Sequence, residues 1–357
     1  MIDLSKKDKL TAKERMMNLI AGKPLDRVPF IPFASGFSAR VFQVDRGKFY
    51  RDPKTAFAAG MNLTKTYPWM NSSPTYGWAD RGGWEFGGSI LWPDNNCYPS
   101  PLSPEPVITD PGEVDTLLDP DPDTAGMMPL ISQFNLINRE YGFPASLPGG
   151  TPTTFSAGIA GLSNLMRWMI KYPETVLKLQ RKVTDFLIRC AQKTIHAYGG
   201  ENCSLFCALP VEANDLISEK SFETFCKPYV EELLIYYMSC GVRKVTVHLC
   251  GNHTRNLKYW KDMPLPKRTI FSIGHEMDLE KTGRTIGSDH ILAGNISSGV
   301  LKSGSPEAVE EETCRCLSAG MKHAGGFILM PSCELPPDTP FENIDAVGRA
   351  IRKAGYY

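Results

Sequence analysis

The sequence lacks an excess of charge of either sign, since 39 Lys and Arg residues balance 39 Asp and Glu residues. It contains no basic stripe of the kind that binds phosphate backbones, so nucleic acid is not expected as a partner. No apolar run approaches the roughly 18 residues that a membrane-spanning helix needs. The first ten residues are too polar for a secretion signal. We therefore expect a cytoplasmic protein without a membrane span.

A Gly-x-Gly-x-x-Gly fingerprint is also missing after the first predicted strand, which disfavours an open dinucleotide-binding sheet. The 357-residue chain instead alternates short apolar strand patterns with helix patterns, as parallel α/β proteins do. Roughly eight strands favour a single (β/α)8 barrel of the TIM type over residues 1–357, and an open doubly wound sheet is the alternative. Strands are predicted at 28–33, 152–158, 204–208, 244–250, 269–273, 291–296 and 326–330. The main helices are predicted at 113–119, 126–141, 173–198, 218–240, near 279, from 306 and at 340–353.

Two segments fall outside this alternation. Residues 1–27 are predicted to be an N-terminal helical extension, in which Thr11 and Glu14 have the spacing of a capping box. Residues 61–110 form an aromatic-rich insertion, predicted as hairpins and loops because glycine pairs and turn residues separate its tryptophans. Those tryptophans either pin the loops together or form the wall of a binding pocket. The tryptophans are Trp69, Trp78, Trp84 and Trp92.

The chain has ten cysteines at irregular spacing, which we interpret as reduced thiols rather than a disulfide framework. His248 and Cys250 end a predicted strand, and residues two apart in a strand point to the same side. Cys333 follows a later strand in the same way. One imidazole and two thiols suit zinc, and three protein ligands leave a fourth position open, as catalytic zinc sites do. Buried, inert side chains are the alternative interpretation for each of the three.

Other polar residues also follow predicted strands, where the active site of a barrel lies. Glu212, His275 and Glu276 are candidate acid–base groups, and Glu212 or Glu276 could fill the fourth metal position. Asn295 and Asn252 are candidates for contacts with a cofactor. A surface-loop histidine is an equally good interpretation of His275.

Several of these segments resemble the uroporphyrinogen decarboxylase superfamily. The similar segments are His-Leu-Cys-Gly-Asn at 248–252, Ala-Gly-Asn at 293–295, Ser-Pro-Glu-Ala-Val at 305–309 and the whole of 326–344. The resemblance covers most of the chain from about residue 173 onward. It implies a (β/α)8 barrel and one of two activities, decarboxylation or corrinoid-linked methyl transfer. In the methyltransferases a His-x-Cys pair and a later Cys hold zinc, and these positions match His248, Cys250 and Cys333.

The decarboxylase branch binds substrate carboxylates with arginines in an Arg-Gln-Ala-Gly-Arg-Tyr segment and uses an aspartate in a Phe-Ser-Asp segment. Here residues 33–40 contain a single arginine, Arg40, and no corresponding aspartate is present. One arginine cannot clamp a substrate with several carboxylates. The resemblance therefore favours the methyltransferase branch.

The expected activity is methyl transfer between a small molecule and the cobalt of a corrinoid carried by a separate protein that docks at the barrel mouth. The aromatic insertion favours a methyl ether, such as a methoxyaromatic, as the methyl donor. The alternatives are transfer from the methylcorrinoid to a thiol, a porphyrinogen decarboxylase, and a barrel that only binds a small ligand. The sequence leaves the oligomeric state open, with a homodimer as one option.

Overall fold

The structure is a computed structural model that describes Leu4 and residues 7–357. Its framework is a parallel sheet of six strands that follow one another in chain order. Parallel neighbours cannot be joined by a tight hairpin, so helical segments return the chain between successive strands. The strands are β1 Ala145–Ser146, β2 Cys203–Ala208, β3 Lys244–Leu249, β4 Ile270–Ile273, β5 Ile291–Ile296 and β6 Phe327–Pro331.

Two further extended stretches continue the wall beside β6. Phe30 forms a parallel bridge with Leu329, and the Ile31 N–H donates to the Leu329 carbonyl at 3.0 Å. The Asn71 N–H donates to the Phe30 carbonyl at 2.7 Å. These stretches bring the wall to eight positions, and the prediction of a (β/α)8 barrel is confirmed. The strand predicted at 28–33 is reduced to this bridge because its two prolines cannot donate to a ladder.

The helices of the described residues are α1 Ala12–Ile20, α2 Ser35–Val41, α3 Arg46–Arg51, α4 Pro53–Thr66, α5 Met128–Glu140, α6 Pro152–Ala160, α7 Leu162–Lys171, α8 Pro173–Tyr198, α9 Glu219–Ser221, α10 Lys227–Ser239, α11 Leu279–Ile286, α12 Ser298–Ser303, α13 Pro306–Gly320 and α14 Phe341–Ala354. Short 3₁₀ helices occupy Pro111–Thr116, Gly200–Asn202 and Leu257–Lys261. Within the described chain, none of these helices combines the length and apolar character that a bilayer crossing requires.

Capping side chains mark the starts of several helices, among them the predicted starts of α1 and α13. Thr11 and Glu14 form a complete capping box at the start of α1. Asp52 accepts the Lys54 N–H at the start of α4, and Ser305 accepts the Ala308 N–H at the start of α13. These side chains satisfy backbone donors that have no partner inside the helix. α4 ends at Thr66 and so occupies the beginning of the predicted insertion.

The predicted strand at 152–158 is wrong, because this segment is helix α6. Thr151 caps the helix by accepting the Thr154 N–H, and Pro152 occupies the first turn. Eight of its nine residues are buried, so the helix has no polar face and shows no helical periodicity in the sequence. The predicted helix at 218–240 is also interrupted. A π-helical turn, Phe222–Cys226, separates α9 from α10, next to a proline that cannot donate a helical hydrogen bond.

The aromatic insertion is mostly irregular, with a single antiparallel bridge between Leu91 and Leu102 among its described residues. The rings of Trp78, Trp84 and Trp92 pack against one another with centroids 5.5–6.3 Å apart. This contact supports the interpretation in which the tryptophans pin the loops. Of the predicted hairpins, the structure shows only this one bridge among the described residues. The assignment of residues 1–357 to one domain stays a prediction.

Helix α1 covers one end of the barrel. Leu19 packs with Ile291 and Ala293 of β5 and with Ile328 and Met330 of β6, and all five are buried. Each strand contributes alternate residues, so these side chains lie on one face of the wall. The amino-terminal ends of the strands are thereby covered. The carboxyl ends are left for a functional site.

Candidate metal centre

Three side chains from two strand ends converge at the mouth of the barrel. His248 lies near the end of β3, Cys250 follows β3 directly, and Cys333 follows β6. Their potential ligand atoms all lie within 4.8 Å of one another, and the Sγ atoms of Cys250 and Cys333 are 3.7 Å apart. The carboxyl ends of parallel barrel strands share one rim, which brings together residues 83 positions apart in the chain.

The imidazole of His248 is held so that one ring nitrogen remains available. Its Nδ1 lies 3.0 Å from Oγ of Ser272, the residue that pairs with it in the ladder to β4. Its Nε2 has no hydrogen-bond partner among the described residues, although His248 is only 2% exposed. A buried polar atom without a partner is unfavourable. A metal ion held with the two sulfurs would satisfy it, so the site fits a metal.

Two aromatic rings flank this imidazole. The Phe206 ring lies 5.7 Å from it at an interplanar angle of 23°, and the Phe33 ring meets it edge-on at 5.8 Å. Neither ring is among the site residues predicted from the sequence. Alternation along β2 could have identified Phe206. Phe33 has a φ of 43°, unusual for a residue other than glycine, and no sequence pattern indicates its position.

The two thiols strongly affect each other. The hydrogen bond with Cys250 and the nearby His248 lower the pKa of Cys333, whereas the hydrogen bond with Cys333 and burial raise the pKa of Cys250. Two thiolates this close repel each other, so one sulfur ionises at the expense of the other. A divalent cation would lower the pKa of both thiols. Two thiolates and one imidazole form a donor set that suits zinc.

Glu276 and His275 lie at the rim of the site. Oε2 of Glu276 is 3.4 Å from Nδ1 of His275, and the two side chains are 37% and 48% exposed. After Cys333 and burial, the charge of Glu276 is a further cause that raises the pKa of Cys250. Neither side chain belongs to the ligand group of the described residues. Both side chains are partly exposed to water, and their catalytic role stays a prediction.

Asn295 and Asn252 use their side chains to shape loops. Nδ2 of Asn295 donates to the carbonyls of Gly274 at 3.0 Å and Met277 at 2.9 Å. Oδ1 of Asn252 accepts the Thr254 N–H at 3.0 Å. These contacts stabilise the loops after β4 and β3. A role in cofactor binding stays a prediction that these contacts do not support.

Glu212 is not brought together with the metal ligands. Its carboxyl group is fully buried and accepts a hydrogen bond from the Thr151 hydroxyl. Burial raises the pKa of Glu212 to about 7. After burial, the charge of Glu212 is a further cause that raises the pKa of Cys207 and Cys226. The carboxyl group therefore lies near these two thiols, and its placement gives no support to the expectation that it fills the fourth metal position.

Two polar residues lie next to the ligands: Glu334, which is half-buried, and His253, which is buried. Glu334 follows Cys333 and accepts the Gly36 N–H at 3.2 Å, and burial raises its pKa to about 7. His253 lies three residues after Cys250 and is fully buried, and burial lowers its pKa to about 4. The position of Glu334 at a strand end is visible in the sequence. A loop histidine such as His253 carries no comparable signal.

A TIM-type barrel with a His, Cys, Cys group at its carboxyl rim has the arrangement of a catalytic metal centre. The chain belongs to the uroporphyrinogen decarboxylase (URO-D) family, whose model matches residues 11–354. The resemblance predicted from the sequence motifs is thereby confirmed.

Two curated relatives and one solved structure are similar to this chain. Methylcobamide:CoM methyltransferase MtaA from Methanosarcina barkeri strain Fusaro is 25% identical over 223 residues, 61% of each chain. Methylcobamide:CoM methyltransferase MtbA from Methanosarcina mazei is 26% identical over 148 residues, 41% of each chain. The chain thus spans less than two thirds of the length of these relatives. A methyltransferase structure from Methanosarcina mazei shares the fold at a TM-score of 0.77 with 21% identity, covering 97% of this chain and 99% of its own.

Proposed function

We propose that this protein is a methyltransferase that moves a methyl group from a methylated corrinoid, carried by a separate protein, to a thiol. The convergence of His248, Cys250 and Cys333 carries the proposal. Similarity over 223 residues to a methylcobamide:CoM methyltransferase supports it. CoM is a thiol, so this name favours the thiol direction over the demethylation of a methyl ether that the aromatic insertion suggested. The tryptophans of that insertion have a packing role of their own.

His248, Cys250 and Cys333 would hold the zinc ion, with Ser272 fixing the imidazole. When bound, zinc would lower the pKa of an acceptor thiol beside these residues and would keep its sulfur nucleophilic near neutral pH. The ring of Phe206 covers one face of His248 and reduces the access of water to it. The acceptor sulfur forms the new S–CH₃ bond as the Co–C bond breaks, and the electron pair of that bond stays on cobalt, which goes from Co(III) to Co(I).

The proton of the acceptor thiol leaves toward the rim. Oε2 of Glu276 accepts it, and the neighbouring Nδ1 of His275 passes it to water. The partial exposure of both side chains keeps this route open to solvent. The methylated cobalt must reach the acceptor sulfur, so the corrinoid protein docks at this mouth.

The decarboxylase alternative is disfavoured by the surroundings of Arg40. Its guanidinium donates to the carbonyl of Thr339 at 2.7 Å and lies over the ring of Phe341, 4.5 Å from the centroid. The single arginine of segment 33–40 is thus engaged by the protein itself. It offers little to a substrate with several carboxylates.

Metal analysis and a methyl-transfer assay test the proposal together. Purified protein is assayed for zinc, then mixed with free methylcobalamin and a panel of thiols while the visible spectrum reports cob(I)alamin. A second arm mixes cob(I)alamin with methoxyaromatic compounds. We expect one zinc per chain and thiol methylation in the first arm. Activity only in the second arm would reverse the proposed direction, and turnover of a porphyrinogen without zinc would replace the proposal with decarboxylation.

Cys333→Ala tests the ligand assignment, with Cys314→Ala as the matched control. Cys314 is a partly exposed thiol on α13, away from the ligand group. We expect Cys333→Ala to lose both zinc and methyl transfer, while Cys314→Ala keeps both. Full zinc content in Cys333→Ala would contradict the assignment.

A further inference from the structure

His253 makes a hydrogen bond to the backbone of a metal-ligand residue. Its Nε2 lies 2.9 Å from the carbonyl oxygen of Leu209 and 3.2 Å from the carbonyl oxygen of Cys250. Both partners are acceptors, so Nε2 carries the hydrogen and donates it to the two carbonyls. The side chain is fully buried, so water does not compete for this bond.

This bond joins the loops that follow β2 and β3. Other contacts join the same loops further along: the Asn214 N–H donates to the Asn252 carbonyl at 2.7 Å, and Nδ2 of Asn256 donates to the Glu212 carbonyl at 3.0 Å. These contacts hold the outer part of the β3 loop and do not involve the His253 side chain. Among the residues that the structure describes, only the His253 side chain donates to the carbonyl of Cys250 itself.

The peptide plane after Cys250 sets the direction of its side chain. Gly251 has a φ of +84°, so the chain turns at once after the ligand. The imidazole of His253, which lies in the same loop, donates to the carbonyl that begins the turn and ties it to the Leu209 carbonyl of the β2 loop. The thiol of Cys250 is thereby kept 3.7 Å from the thiol of Cys333.

We propose that His253 is a positioning residue that fixes the Cys250 thiol for metal binding, an inference that rests on the proposed metal centre. A histidine that only stabilises the fold would use the same carbonyls but would not change the affinity for metal in a folded protein. Groups that orient metal ligands without touching the metal affect metal affinity by about 10–100-fold. Metal affinity therefore separates the two roles.

The experiment compares His253→Leu, which removes the donor at similar volume, with His253→Gln, whose amide keeps an N–H donor. His323→Leu is the matched control, because Nε2 of His323 donates to the His290 carbonyl at 2.9 Å. His290 and His323 precede β5 and β6 and lie at the opposite end of the barrel. Zinc affinity is measured by competition with a chromophoric chelator. Co²⁺ in place of zinc reports the thiolate-to-cobalt absorption bands, and thermal unfolding reports stability.

We expect His253→Leu to bind zinc about 10–100-fold more weakly and to alter the Co²⁺ spectrum. His253→Gln should recover most of the affinity. His323→Leu should keep wild-type affinity even if its Tm falls as far as the Tm of His253→Leu. Wild-type affinity in folded His253→Leu, or an equal loss in His323→Leu, would overturn the inference. Absence of a metal site in the wild type would overturn it together with the proposed function. If metal binds normally but no thiol is methylated, the proposed function fails while the role of His253 stands on the affinity data.

Discussion

The Sγ atoms of Cys250 and Cys333 lie 3.7 Å apart, although their strands are separated in the sheet by β4 and β5. The S–S bond length is about 2.05 Å, and rotation of the two side chains can close the remaining gap between the sulfurs. The same relationship that suits a zinc ion therefore leaves the metal-free thiols ready to form a disulfide.

Chelated protein treated with diamide should form a Cys250–Cys333 disulfide, with diamide accepting the two electrons and two protons. Zinc-loaded protein should resist the same treatment, because both sulfurs then carry metal. Peptide mapping by mass spectrometry measures the cross-link, and Cys250→Ala serves as the negative control. A cross-link that forms equally fast with and without zinc would contradict the shared metal site.

Ser272→Ala should weaken zinc binding by about 10–100-fold without removing it, because His248 loses the partner that orients its ring. Ser204→Ala is a suitable control, since its hydroxyl also lies on a barrel strand but sits 3.5 Å from the Ala145 carbonyl. Chelator competition measures both variants. Equal affinities in the two would show that Ser272 does not orient the imidazole.

The three candidate ligands could be predicted because the sequence shows both the residue types and their positions at strand ends. His248 and Cys250 share a face through strand alternation, and Cys333 follows a similar apolar run. The residues that orient them could not be predicted in the same way. Ser272 becomes a partner of His248 only through the register of β3 with β4, and register depends on the whole sheet.

Helix α6 and Glu212 show where local patterns fail. Segment 152–158 was predicted as a strand with a glycine-rich exit, yet Thr151 and Pro152 are a cap and first-turn pair that indicated a helix. Glu212 lies beyond the end of β2 as expected, but its side chain is bonded to Thr151 rather than grouped with the metal ligands. Sequence position places a residue at a rim. It does not decide which way a loop side chain points.

Glu212→Gln should change how stability depends on pH. Burial raises the pKa of Glu212 from 4.5 to about 7 in the folded protein, so the folded state favours the protonated carboxyl. That contribution is fully present below pH 4.5 and is lost as the pH rises through about 7. At about 1.4 kcal/mol for each pH unit, the wild type loses on the order of 3 kcal/mol across this window.

The glutamine variant resembles the protonated carboxyl and cannot ionise. Its Tm should therefore rise relative to the wild type as the pH increases from 4.5 to above 7. Differential scanning calorimetry of both proteins across this range measures the change. Parallel curves would mean that Glu212 does not titrate in the folded protein.

Gly158→Ala should destabilise the protein, although alanine is the better helix former by about 1 kcal/mol. Gly158 lies in α6, and a Cβ atom there would meet the Arg81 carbonyl oxygen at 2.0 Å and the Gly83 nitrogen at 3.1 Å. Both contacts are with backbone, which cannot move aside as a side chain can. Overpacking of this kind costs about 1–3 kcal/mol, and the short distance favours the upper end, so the clash outweighs the gain in helix propensity.

Gly299→Ala is the matched control for this prediction. Gly299 lies in α12, and a Cβ atom there would meet nothing closer than the Ser297 hydroxyl at 3.5 Å, which is an ordinary contact. Its Tm should equal or slightly exceed that of the wild type, whereas the Tm of Gly158→Ala should fall. Thermal unfolding of the three proteins under one condition measures the difference. A stabilised Gly158→Ala would mean that α6 can move away from the 81–83 loop, and the close approach of the two segments would then not depend on glycine.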